Sequence, residues 1–220
     1  MIKIAPSIAS ADQSNLAHAV ELAERAGADW LHFDIEDGVF IPNLSFGPKT
    51  IRDLRAHTRL PFDVHLEVDQ PESLLHQVVE AGADIVTVQY ESTRFPYRAL
   101  TMLKGMGVRA GLAFNAATSV EAIQPILDEL DVVLLMMAEP EGAGADFMPG
   151  LLGKIEQVRD TCAGRAIEVE VDGGIRPGNA GQCVLAGATV LVAGRAIWGD
   201  PEPEQAIARL RAGALAGAAG

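Results

Sequence analysis

The chain has 220 residues, 49% of them hydrophobic, which is enough to bury one sizeable core. Asp and Glu outnumber Lys and Arg by 30 to 17, a formal net charge of −13. That balance argues against nucleic acid as the partner but leaves room for a small anionic ligand in a pocket that opposes the global field. The two cysteines, Cys162 and Cys183, are too few for a disulfide framework and lack zinc-site spacing.

The opening "MIKIAPSIAS" has no charged leader with a long apolar stretch behind it, so no signal peptide is expected. The longest apolar run, "VVLLMMA" at 132–138, is far too short to span a bilayer. A cytoplasmic location and no membrane partner are the expectation.

Along the chain, apolar and β-branched runs alternate with amphipathic ones. "IKIAPS" precedes a helical pattern near 14–26, "WLHFDI" one near 47–57, and "FDVHLEV" one near 71–80. "DIVTVQ", "VRAGLAF" and "VVLLMM" precede patterns near 95–105, 118–129 and 147–162. "IEVEVDG" precedes one near 178–186 and "TVLVAG" one near 202–213. The phrases "AGADW", "AGADI" and "AGATV" recur where a helix ends and a strand begins. Gly tolerates the left-handed helix terminus there, and the small Ala packs the turn closely. Eight strands in strict alternation with eight helices predict a closed (β/α)8 TIM barrel, one domain over 1–220.

A barrel places its active site at the C-terminal ends of the strands. With period two, His32, Asp34 and Glu36 share one face of the second strand, Asp63, His65 and Glu67 one face of the third, and Glu168, Glu170 and Asp172 one face of the seventh. A single strand histidine would read as a hydrogen-bonded core residue. Two at matching depth, with carboxylates, suit a divalent transition ion such as Zn, Fe, Mn or Co; an all-oxygen Mg or Ca site would not need imidazoles.

Five motifs in order, "IAPSI" (4–8), "HFDIEDGVFIPN" (32–43), "DVHLE" (63–67), "EVDGGI" (170–175) and "VAGRAI" (192–197), resemble the ribulose-phosphate 3-epimerase family over essentially the whole chain. The resemblance implies the ribulose-phosphate-binding type of barrel. It implies that His32, Asp34, His65 and Asp172 bind one divalent metal, that Asp34 and Asp172 are also the acid/base pair, and that Ser7 touches substrate. The chemistry is coherent: a proton next to a ketone leaves one face and returns on the other through an enediolate, whose charge the metal stabilises. The default pair is D-ribulose 5-phosphate and D-xylulose 5-phosphate. The alternative is the same mechanism on a hexulose 6-phosphate, or on an unphosphorylated or acidic ketose. The resemblance also implies a homo-oligomer. A catalytically silent barrel has no chemical reason to keep both acid/base groups.

Three stretches depart from the family pattern. Glu36 and Glu67 stand where methionines usually line the metal pocket, and Met136 retains a third such position. These two carboxylates are possible specificity determinants, or they snorkel toward solvent. The Gly-rich phosphate loop reads "EPEGAGADF" (139–147), leaving Gly142 and Gly144 as backbone donors beside Glu141 and Asp146. Strand eight ends in Arg195 rather than Ser, which is similar to the orotidine-phosphate decarboxylase and hexulose-phosphate synthase group. Arg195 is read as an anion-binding residue, with Gly173, Gly174 and Gly194 supplying amides around the same place. That second group carries Asp-x-Lys-x-x-Asp on strand three; here His65 takes the Lys place and Val68 the last acid place, against metal-free decarboxylase or aldol chemistry. The loops at 38–47 and 139–147 are the expected covers of the mouth.

Overall fold

The computed structural model describes residues 2–139 and 146–218. Eight parallel strands form one sheet: β1 (Lys3–Pro6), β2 (Leu31–Glu36), β3 (Phe62–Glu67), β4 (Ile85–Gln89), β5 (Arg109–Phe114), β6 (Val132–Met136), β7 (Glu168–Asp172) and β8 (Val190–Ala193). Each strand from β2 to β8 pairs with its sequence neighbour, and β1 pairs with β8. The β1–β2 seam is held by a single bridge, Ser7 to His32, and by Ile4, whose carbonyl accepts from Asp29 N at 2.9 Å and whose N–H donates to Asp29 Oδ2 at 2.8 Å. The result is a nearly closed (β/α)8 barrel.

The outer layer holds α1 (Leu16–Arg25), α2 (Pro48–Leu54), α3 (Leu75–Ala81), α4 (Pro96–Gly105), α5 (Leu152–Thr161), α6 (Pro177–Ala186), a four-residue α7 (Arg195–Trp198) and α8 (Pro203–Ala218). No helix among the described residues is long and apolar enough to cross a membrane. Outward residues of the strands, including Leu31, Phe33 and Ile35 on β2 and Phe62, Val64 and Leu66 on β3, are buried against the helices in the main core. Inward apolar residues form smaller groups: Ala5, Ile85, Val132, Val190 and Val192, and separately Ala113, Leu134 and Met136. Gly111 on β5 has no room for a Cβ because Thr87 fills that space inside the barrel.

The recurrent AGA(D/T) turns form as expected. Gly27, Gly82 and Gly187 have φ of 79°, 110° and 125°, and Ala28, Ala83 and Ala188 are buried beside them. The segment near 118–129 differs from its predicted pattern. It is a 3-10 helix over Val120–Glu129, with Pro125 inside it. Proline supplies no N–H and crowds the preceding turn, so an α-helix cannot run through. The short α7 was not legible, because four residues carry no periodicity.

Candidate active site

Period-two alternation sends His32, Asp34 and Glu36 from β2 and Asp63, His65 and Glu67 from β3 into the barrel, and register sets Asp34 beside His65 and Glu36 beside Glu67. His32 and His65 are fully buried and Asp34 nearly so. The three converge: Asp34 Oδ1 lies 2.9 Å from His32 Nε2 and 3.3 Å from His65 Nδ1. Their ligand atoms all lie within 4.8 Å of one another, close enough to hold one ion.

The far nitrogen of each imidazole is already engaged. His32 Nδ1 meets Asp63 Oδ2 at 2.6 Å, and His65 Nε2 meets Gln89 Oε1 at 2.9 Å. Gln89 is oriented in turn, its amide donating to Asn115 Oδ1 at 2.7 Å. Both rings are thus held with one nitrogen toward Asp34, the outer-partner arrangement that fixes ligating histidines. The donor set fits a divalent transition ion.

Asp172, at the end of β7, comes from the other side of the β1–β8 pair. Its Oδ2 is 4.0 Å from His32 Nε2, so it stands at the edge of the three-residue cluster rather than within it. Its other oxygen accepts from Gly173 N at 2.6 Å. Burial and the Asp34 charge push Asp172 up to about 6. Burial also acts to raise Asp34, but His32 and His65 outweigh it and hold that carboxyl well below the usual range. The two carboxyls therefore differ in proton affinity. Ser7, following β1, donates through Oγ to Asp34 Oδ2 at 2.7 Å. Its own carbonyl accepts from Trp198 Nε1 at 2.8 Å, tying the end of β1 to α7.

These groups open into a cleft of about 910 Å³ at the C-terminal end of the barrel. Glu36, Glu67, Met136, Gly173, Gly174, Gly194 and Arg195 all line it. Glu36 is half-buried and accepts from Asn43 Nδ2 at 2.5 Å. Glu67 does not snorkel: it is 3% exposed. Asp37 turns away from the cleft and accepts from the N–H groups of Val39, Phe40 and Asp69. The cover at 38–47 is anchored by Ser45, which donates to the Asp34 carbonyl at 2.7 Å and accepts from Glu36 N at 3.0 Å. Gly142, Gly144 and Glu141 lie outside the described residues, so the second cover is seen only at Glu139, Asp146 and Phe147.

The glycine pair after β7 is required by packing. A Cβ at Gly173 would fall 2.7 Å from Ala138 N, and one at Gly174 would fall 2.6 Å from Phe147 N; both have positive φ. A Cβ at Gly194 would collide with Ser10.

Sequence reasoning missed several members. Arg176 lines the same cleft as Arg195, and its place just after "DGGI" could have drawn attention. Gln89 closes an inward face with Thr87 and was visible by the same alternation. Asp63 and Glu170 were placed on the inward face, but nothing in the spacing shows that they back His32. Glu170 is fully buried, neither carboxylate oxygen has a hydrogen-bond partner, and one lies in ion-pair range of His32 Nδ1 at 3.6 Å. Burial and the Asp63 charge push it up to about 8.

The family model described as "Ribulose-phosphate 3 epimerase family" matches residues 3–198. A chloroplastic ribulose-5-phosphate-3-epimerase of Arabidopsis thaliana is 40% identical over 215 residues, covering 96% of this chain and 76% of that protein. A ribulose-phosphate 3-epimerase of Bacillus subtilis is 39% identical over 214 residues, covering 96% and 99%. Among solved structures, 3-keto-L-gulonate-6-phosphate decarboxylase from Vibrio cholerae superposes with a TM-score of 0.72 over 98% of both chains at 20% identity, a likeness of fold alone.

Proposed function

The chain belongs to the ribulose-phosphate 3-epimerase family, and from that premise we propose how its own residues carry out the epimerisation. The observation that carries the reading is the convergence of His32, Asp34 and His65, with Asp172 facing them from β7. His32, Asp34, His65 and Asp172 would hold one divalent ion, Zn, Fe, Mn or Co. Once bound, that ion would stabilise the negative charge that develops on the two oxygens of an enediolate.

Asp34 is the group poised as base, because its neighbours keep it ionised. Asp172 is its partner in the acid/base pair, with a proton affinity raised by burial and by the Asp34 charge. One carboxyl takes the proton from the carbon next to the ketone; the other returns one on the opposite face. Ser7 holds Asp34 in place and stands at the rim where substrate enters. Met136 forms an apolar part of the wall. The amides of Gly173, Gly174 and Gly194, with Arg195, would receive a phosphate, and Arg176 adds a second cationic side chain to that rim. Gly142 and Gly144 are proposed as further amide donors.

The substrate is D-ribulose 5-phosphate, converted to D-xylulose 5-phosphate. The carboxylates of Glu36 and Glu67 on the cleft wall favour one second reading: the same proton transfer on another ketose, such as a hexulose 6-phosphate, or an unphosphorylated or acidic sugar engaged by Arg195. Partners are small molecules, not nucleic acid or membrane. The protein is read as one cytoplasmic barrel domain that forms a homo-oligomer, for which Phe95 and Tyr97, exposed on the outer wall, supply apolar surface.

Proton NMR in D2O with D-ribulose 5-phosphate and added Mn, Zn or Fe tests this. Loss of the C3 proton signal with growth of xylulose 5-phosphate is the expected result. No exchange with any ion sinks the default substrate and moves the search to other ketoses.

A further inference from the structure

The two imidazoles of the candidate ion site are backed by different chemistry. His32 Nδ1 meets a carboxylate, Asp63 Oδ2, and an ionised carboxylate accepts with whichever oxygen it offers. His65 Nε2 meets an amide, Gln89 Oε1, at 2.9 Å, and an amide can turn over. With Oε1 toward the ring, Nε2 must carry the proton, and Nδ1 keeps its lone pair on the side of Asp34. With the amide turned over, Nε2 would accept, Nδ1 would carry the proton, and the nitrogen facing Asp34 could not ligate.

Asn115 opposes that turn. Its Oδ1 accepts from Gln89 Nε2 at 2.7 Å, so a reversed Gln89 would set two carbonyl oxygens against each other. Asn115 lies two residues past Ala113, the β5 partner of Gln89. Its main chain is gripped on both sides. The N–H donates to Glu91 Oε1 at 2.9 Å, and the carbonyl accepts from Lys154 Nζ at 2.6 Å. Thr118 donates to the same Glu91 oxygen, and Lys154 reaches the Ala116 carbonyl at 3.4 Å. An anion just past β4 and a half-buried cation from α5 thus pin one residue at the end of β5. Gln89, Asn115 and Lys154 do not line the cleft, so contact with substrate does not account for them.

We propose that Asn115 is a positioning residue of the ion site: it fixes the amide of Gln89, and through it makes His65 present a bare Nδ1 to the ion. The inference rests on the reading that His32, Asp34 and His65 hold an ion, and it deepens that reading.

The test is ion affinity in variants of nearly equal size. Chelator-stripped wild type, Asn115→Asp and Asn115→Leu are titrated with Zn by calorimetry. Aspartate offers only acceptors, so it should hold Gln89 as Asn115 does and keep the wild-type affinity. Leucine fills the space but accepts nothing, and should lose at least about fivefold, just under the range that outer partners of ligating histidines contribute. A residue that merely packs would give the reverse order, with leucine tolerated and the new charge harmful. Nitrogen NMR of the histidines in the Zn-loaded wild type should show His65 bound through Nδ1 and protonated at Nε2. Thermal unfolding of the stripped proteins checks that each variant folds; if Asn115→Leu does not, Lys154→Met loosens the same residue from the helix side and is read against the same threshold. A loss below that threshold, an Asn115→Asp variant as weak as Asn115→Leu, or His65 bound through Nε2 overturns the inference. A wild type that binds no Zn overturns the ion site itself, and this inference with it. A wild type that shows the Asn115 effect but does not act on D-ribulose 5-phosphate leaves this inference standing and refutes only the choice of substrate.

Discussion

Ser7 Oγ donates to Asp34 Oδ2 at 2.7 Å, while Asp34 Oδ1 faces both His32 and His65. One carboxylate is thus divided between two tasks. Its inner oxygen completes the candidate ion site, and its outer oxygen is steadied by a hydroxyl from the neighbouring end of β1. A group that must bind an ion and also move a proton needs both oxygens held, because a small rotation would lose either contact.

Removing that hydroxyl should be felt in catalysis. Ser7→Ala takes a donor from an ionised carboxylate, a bond worth about 1.5–3 kcal/mol. The expected loss in kcat/KM is roughly ten- to a hundredfold. The hydroxyl stabilises the charged form, so without it Asp34 binds its proton more readily. The acidic limb of the pH profile should move to higher pH. An unmoved limb would show that Ser7 only fills space.

Asp172→Asn separates the two halves of the proton transfer. The variant keeps the bulk of the side chain but loses the acid that returns the proton, and epimerisation should fall by about 10²–10⁴-fold. The substrate epimer that faces Asp34 should still wash its proton out into D2O without inverting. Mass spectrometry of recovered substrate reads this directly. Equal loss of exchange and inversion would contradict the division of roles.

Asp63→Asn probes the support behind His32. Asp63 accepts from His32 Nδ1 at 2.6 Å in a fully buried place, and outer partners of this kind typically contribute about 10–100-fold to metal affinity. Calorimetric titration of the stripped variant with Zn or Mn should show a loss of that order. Affinity unchanged would mean the ring is oriented by packing alone.

The metal-free protein should become less stable as pH rises. His65 is raised to about 9, because Glu67 and Asp34 outweigh the burial that acts against its charge. Burial pushes Glu67 and Glu170 up to about 8, with neighbouring carboxylates adding to it. All three hold protons in the folded state that the unfolded chain has released, from the Glu value of 4.5 and the His value of 6.5 upward. When the folded state binds more protons, stability falls with pH. The unfolding midpoint of the chelator-stripped protein should therefore drop steadily between about pH 5 and 9. A bound divalent ion displaces the imidazole protons and should reverse most of the loss at the alkaline end. A flat or rising midpoint would refute these proton affinities.

Much of the site was legible because strand alternation is a rigid rule. Once 31–36 and 62–67 read as strands, His32, Asp34, His65 and Glu67 had to share the barrel interior. What could not be read was how far each carboxylate sits from water and from the others. Glu36 and Glu67 have the same residue type and the same place on adjacent strands, yet one is half-buried against Asn43 and the other nearly sealed. The 3-10 helix at Val120–Glu129 shows the opposite case, where Pro125 was in plain view but its local geometry overrode an amphipathic pattern.

The sequence by itself determined the alternation of strands and helices, the glycine turns and the inward set of histidines and carboxylates, because those follow from local sterics and from the two periods of the backbone. Only the tertiary structure decided that Asp172 stands at the edge of the ion cluster, that Asp63 and Gln89 hold the two imidazoles, and that Glu67 is buried without a donor for Oε1. Those facts depend on register, barrel closure and solvent exclusion, which arise only when segments far apart in the chain are brought to within a few ångströms of one another.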